Sequence, residues 1–158
     1  MKNSAIVFMM LMLNTFLLWA QSPAPAPSAD DYSGMYAFLQ DGEFVQLTVE
    51  DQGLVTGLVS RYGDSAGGKR EFVDQFFKQG KLDGKKLTFT TKTVHDVWYD
   101  FDGTVERGDG QNTGDEGYFI LKGKLTQYST DASKKTTSKS QQVVLKSFPK
   151  DMDSSPAK

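Results

Sequence analysis

The chain of 158 residues contains no cysteine and a single histidine. Without cysteine there can be no disulfide, no thiolate metal site, no cysteine nucleophile and no lipid-anchoring cysteine. One histidine, His95, leaves a metal site short of the several ligands it ordinarily uses. No Gly-x-Ser-x-Gly stretch is present to expose a serine nucleophile. No catalytic residue, metal ligand or cofactor is therefore assigned, and a non-enzymatic protein is expected. Charge of one sign is also scarce. The 18 basic and 20 acidic residues leave a net charge of −2, which gives no electrostatic reason to expect nucleic acid or an anionic membrane as partner.

The start of the chain reads as targeting sequence. Lys2 precedes the apolar run "AIVFMMLMLNTFLLWA" from Ala5 to Ala20, followed by the small and proline-rich "QSPAPAPSA". A basic start, an apolar core and small residues after it predict a secretory signal peptide over 1–20. The run is interrupted by Asn14 and Thr15 and falls short of the ~20 residues of a bilayer span. Residues 21–31 read as an extended Pro/Ala linker, with Ala24, Ala26 and Ala29 as other cleavage points. An exported chain without disulfides suggests a bacterial source and a periplasmic or extracellular location. The domain is expected over 32–148 and a disordered tail over 149–158.

From Tyr32 onward the pattern alternates. Tyr32, Gly34, Tyr36 and Phe38 share one face and lead into Asp41-Gly42, a strong hairpin signal. A two-residue loop there predicts Phe38 opposite Val45 and Tyr36 opposite Leu47. The next turn, Asp51-Gln52-Gly53, sets Val49 against Val55, Leu47 against Gly57 and Val45 against Val59. Arg61 follows on the same face, before the glycine-rich loop Arg61 to Arg70. The run "EFVDQFFKQGKLDG" is read as a strand carrying Phe76, Gly80 and Leu82 inward, ending at the Asp83-Gly84 turn. Glycines at Gly80, Gly103 and Gly123 fall on the inner face in mid-strand, which marks bends or close backbone approach. The stretch from Leu87 to Val105 is too long for one strand, and it is expected to reverse near Val94-His95-Asp96. An odd-numbered loop pairs Phe89 with Phe101 and Thr91 with Tyr99. "RGDGQNTGDEG" and "STDASKKTTSKS" read as loops, Tyr118 to Tyr128 and "QQVVLKSF" as strands. Eight hairpin-linked strands predict an all-β, antiparallel up-and-down barrel, with a two-sheet sandwich as the alternative. Outward charges argue against a membrane-inserted barrel.

An exported eight-stranded meander resembles the calycin group of lipocalins, avidins and fatty-acid-binding proteins. Gly34-x-Tyr36 stands where many of these open with Gly-x-Trp; the Thr-Asp-Tyr turn and late arginine of lipocalins are absent, and only Lys146 on the last strand could substitute for that arginine. The resemblance implies a ligand in the barrel mouth. A small apolar or aromatic molecule is expected against Val45, Leu47, Val59, Phe89, Tyr99 and Phe101, with polar contacts from Tyr36, Arg61 and Thr91. One alternative is recognition of an exported protein by the loops at 61–70 and 108–117. A second alternative is carbohydrate binding or hydrolysis at Asp96, Trp98 and Asp100, where a tryptophan stands between acids on the outer face.

Overall fold

The computed structural model describes residues 28–63 and 71–150. The expected signal segment, most of the linker, most of the loop after β3 and the last eight residues lie outside these. The described chain opens with a 3-10 turn, Ala29–Tyr32, and then forms eight strands. They are β1 (Gly34–Ala37), β2 (Phe44–Val49), β3 (Val55–Tyr62) and β4 (Phe72–Asp83), then β5 (Lys86–Thr91), β6 (Val97–Arg107), β7 (Phe119–Thr130) and β8 (Thr136–Lys146). Every strand pairs antiparallel with the next in order β1 to β8. The sheet curls until Tyr36 bridges Ser147 and the Phe148 N–H donates to the Met35 carbonyl at 2.8 Å. This is the eight-stranded up-and-down barrel of the sequence reading.

The second hairpin has the expected register, with Val49 opposite Val55 and Val45 opposite Val59. Its loop places both Gln52 and Gly53 at positive φ, 60° and 75°. The first hairpin is displaced by two residues from expectation. Tyr36 pairs with Val45, and the Phe38 N–H donates to the Glu43 carbonyl. The turn is wider because the Glu43 carboxylate is tied to two backbone N–H groups, of Gln40 and of Tyr62, each at 3.0 Å. An even displacement keeps the same side chains inward.

The strand assignment of β4 holds, but Phe76 does not point inward as expected. It is 54% exposed. The pairing of β4 with β5 slips between Phe77 and Gln79, so Lys78 is an extra residue, a β-bulge. Side chains alternate with period two, so one extra residue exchanges the faces. Gln75 and Phe77 face the lumen before the bulge, Gly80 and Leu82 after it.

A related adjustment follows β5. Val94 and Val97 exchange both backbone hydrogen bonds around a two-residue turn, His95-Asp96, both at positive φ. Yet Phe89 pairs with Phe101 as expected. The residue shed between Thr91 and Val94 restores the register that a two-residue turn alone would spoil. At the end of the chain, most of the stretch expected as a polar loop is strand. β7 runs to Thr130 and β8 begins at Thr136, joined by hydroxyl pairs Thr126–Ser140, Ser129–Thr137 and Thr130–Thr136 at 2.9–3.2 Å.

Candidate functional site

All nine residues expected to bind a ligand lie on the inner face, and all are buried: Tyr36, Val45, Leu47, Val59, Arg61, Phe89, Thr91, Tyr99 and Phe101. They divide by depth. In the middle, Phe89 stacks between Phe77 and Phe101, with ring centroids 4.4 and 5.3 Å apart and planes nearly parallel. Leu47, Val59, Leu121 and Leu125 belong to the same buried cluster. The middle of the lumen is filled by side chains. At the lower end, the Tyr36 hydroxyl donates to the Tyr32 carbonyl at 2.7 Å, and Tyr32 meets Phe119 edge to face. Burial, with Tyr32 nearby, holds the Tyr36 hydroxyl pKa far above the ordinary tyrosine range.

The polar members gather at the upper end, where the β1–β2, β3–β4, β5–β6 and β7–β8 connections lie. Arg61 is enclosed there. Its Nε donates to Gln75 Oε1 at 2.7 Å, its Nη1 donates to the Tyr62 carbonyl at 3.0 Å, and its guanidinium lies over the Tyr99 ring at 5.8 Å. Gln75 is fully buried and donates onward to the carbonyls of Val97 (2.8 Å) and Lys92 (3.3 Å). The Thr91 hydroxyl accepts the Tyr99 N–H at 3.0 Å, and Phe38 meets Tyr99 edge to face. No described carboxylate pairs with Arg61: the ion pairs among the described residues are Lys86–Asp102 and Lys122–Glu106, both on the outside. A buried guanidinium whose neighbours are an amide, a carbonyl and aromatic rings offers an anion its charge.

Sequence reasoning missed three members of this end. Gln75 was hidden by the bulge, which exchanges the faces of β4. Glu43 follows the expected Asp41-Gly42 turn and carried no signal that tied it to the mouth. Phe38 was assigned inward but not to the site. A second concavity also escaped the sequence, because residues far apart in the chain build it. It is a pocket of about 460 Å³ at the lower end of the β1–β8 seam, walled by Met35, Tyr118, Phe148 and Pro149 with Asp31 and Lys150 at its polar parts.

The three residues of the carbohydrate alternative are not all together. Asp96 sits in the turn at φ 59° and is exposed, whereas Trp98 and Asp100 lie along β6 on the outer face. Trp98 stacks on Tyr128 with parallel rings 5.0 Å apart. Asp100 Oδ1 is enclosed and accepts no hydrogen bond. In the loop after β6, the Arg107 guanidinium folds back over the Tyr118 ring at 3.5 Å and donates to the Tyr118 carbonyl at 2.9 Å. Among the described residues, no group of three or more histidines or carboxylates is placed to hold a metal ion.

The fold defines a calycin-type barrel, eight antiparallel strands in meander order closing on an apolar lumen. Within that class the chain is similar to an avidin-like structure, the crystal structure of the rhizavidin–biotin complex. The match has a TM-score of 0.55 at 14% sequence identity and covers 78% of this chain and 98% of that one. At this identity the likeness concerns the fold. No protein-family model matches the chain, and no curated protein matches it significantly.

Proposed function

We propose that the protein is an exported, non-enzymatic binding protein that holds a small aromatic or apolar ligand bearing an acidic group at the upper mouth of the barrel. Arg61 carries this reading. It is a cation enclosed at the end of an apolar lumen, with no ion pair among the described residues. A buried charge is stabilised when it meets an opposite charge and its donors are used. An anionic group of the ligand would do both, while Phe38 and Tyr99 supply an aromatic wall. The likeness to rhizavidin, solved with biotin, supports the use of a barrel mouth for a small molecule. The Phe77–Phe89–Phe101 stack limits such a ligand to the mouth.

The test uses two probes on the full chain: anilinonaphthalene sulfonate, which joins an aromatic surface to an anion, and biotin. One saturable site is expected for at least one probe, lost in Arg61→Met and Tyr99→Ala and kept in Trp98→Ala. No saturable binding of either probe, or binding that Arg61→Met leaves intact, overturns the reading.

A second reading, a saccharide on the outer sheet, is favoured by the Trp98–Tyr128 stack beside the unpartnered Asp100 oxygen. Aromatic rings take the C–H face of a sugar, and a carboxylate accepts its hydroxyls. Retention on insoluble polysaccharide, abolished by Trp98→Ala, is the expected result; a retained variant removes this reading.

A further inference from the structure

The barrel is closed at one place by a mismatch in strand length. β1 has four residues and β8 has eleven. The bridge between Tyr36 and Ser147 and the bond from the Phe148 N–H to Met35 join β1 to the chain just past β8. Along Thr136–Lys146 no described strand pairs with the outer edge of β8. The direction of its backbone groups follows from the two bonds at its end. The Ser147 N–H donates inward to Phe119 of β7, and the Phe148 N–H donates outward to Met35. Alternation then directs the N–H groups of Gln142, Val144 and Lys146 to the open edge.

Beside that edge is a slot of about 490 Å³. Phe38 and Leu39 form one wall, and Gln141, Val143 and Leu145 form the other, with Leu125 also lining it. The inner face of β8 records the gap. Leu145 is buried, Val143 half-buried, and Gln141 and Lys139 exposed, although all four share the parity that faces the lumen. An added strand would cover Leu125 and Val143 with every second side chain and leave the others in water.

The charge on β8 has one sign. Lys134, Lys135, Lys139 and Lys146 lie on β8 or its turn, and β8 itself has no acidic residue. Asp131, the one acid of the turn, is taken up by Ser133 and by the Lys135 N–H, which hold its carboxyl below the ordinary range. A second copy of the chain fits poorly, because edge-to-edge pairing would set a strand that carries Lys139 and Lys146 and no acid beside an identical strand.

We propose that the free edge of β8 binds an extended acidic peptide as an additional antiparallel or parallel strand, seated in the slot between β8 and the β1–β2 turn. Main-chain hydrogen bonds would supply the affinity, and alternating apolar and acidic side chains the selectivity. The surface shares Phe38 with the mouth but uses neither Arg61 nor Tyr99, so the two readings can fail separately.

The test uses a fluorescein-labelled heptapeptide alternating glutamate and valine, titrated with the full chain and followed by anisotropy. A lysine–valine peptide of the same pattern is the control. Saturable binding of the acidic peptide is expected, weakened about tenfold or more by Val144→Pro, which removes one edge donor while leaving the bonds to β7 in place. Slowed amide exchange at Gln142 and Val144 of the unaltered protein on peptide addition keeps the test valid should the proline variant not fold. Equal binding of the lysine–valine peptide overturns the proposal. So does absence of any anisotropy change, unchanged exchange at both amides, or a concentration-dependent dimer whose edge amides are protected without peptide.

Discussion

Gly103 and Gly123 face each other across the β6–β7 ladder with no room for a side chain on either. A Cβ on Gly103 would lie 2.8 Å from the Gly123 Cα and 2.6 Å from the Phe101 ring, and one on Gly123 would lie 2.5 Å from the Asp102 carbonyl oxygen. The inner-face glycines thus let the two strands and the aromatic stack pack closely. Gly123→Val is expected to destabilise the fold by about 2–3 kcal/mol, the upper part of the range for overpacking a tight core. The urea midpoint measures it. An unchanged midpoint would mean that the strands separate freely at this point.

Much of this was readable from alternation alone. The inward set from Tyr36 through Leu47, Val59, Phe89, Phe101 and Leu121 is one parity, and parity survives even slips of register. That is why the first hairpin could shift by two residues without exposing its core. The bulge at Lys78 was not readable, because Phe72, Val73, Phe76 and Phe77 put apolar groups on both faces. The start of β8 was hidden too. Its serines and threonines resemble a loop, yet β-branched residues with cross-strand hydroxyl partners suit a strand. At the mouth, Arg61 followed from parity, whereas its partner Gln75 depended on the bulge.

Gln75 is expected to separate stability from binding. Gln75→Leu removes the acceptor of Arg61 Nε and the donor to the Val97 carbonyl. A loss of about 2–3 kcal/mol follows, since hydrogen bonds to charged groups are the costlier ones to break. Gln75→Glu instead gives Arg61 a carboxylate inside the protein. It loses the amide donors to the Val97 and Lys92 carbonyls, which is expected to lower the urea midpoint, and in the protein that still folds it is expected to suppress binding of the anionic dye, because the cation is then neutralised. Dye titration of a folded Gln75→Glu variant decides the matter; undiminished binding would show that Arg61 does not attract the anion.

Deleting Lys78 tests the bulge directly. Without the extra residue, Phe77 and Gln79 become consecutive while still opposite Thr91 and Thr90, so the ladder with β5 runs on unbroken and Gln75, Phe77, Gly80 and Leu82 all stay inward. The Phe77–Phe89 stack and the Arg61–Gln75 bond are expected to be kept. The deletion is therefore expected to move the urea midpoint little more than Lys78→Ala, whose exposed side chain is expected to matter by no more than about 0.5 kcal/mol. A deletion that unfolds the protein while Lys78→Ala does not would contradict the assigned register.

Tyr36 predicts an alkaline limit to stability. Its ordinary pKa is 10.0, and in the folded chain burial and then Tyr32 raise it. A raised pKa means that the folded state holds the proton after the unfolded chain has released it. The stabilisation is therefore complete below about pH 10 and is lost as pH rises from there toward the folded value, by about 1.4 kcal/mol per pH unit for this one proton. Tyr36→Phe removes the titration together with the bond to the Tyr32 carbonyl. At neutral pH it is expected to cost about 1 kcal/mol, one ordinary hydrogen bond. Above pH 10 the gap between variant and parent should close. Urea midpoints of both proteins from pH 8 to 11 test this, and a gap that stays constant across that range would mean Tyr36 is not the group that sets the alkaline limit.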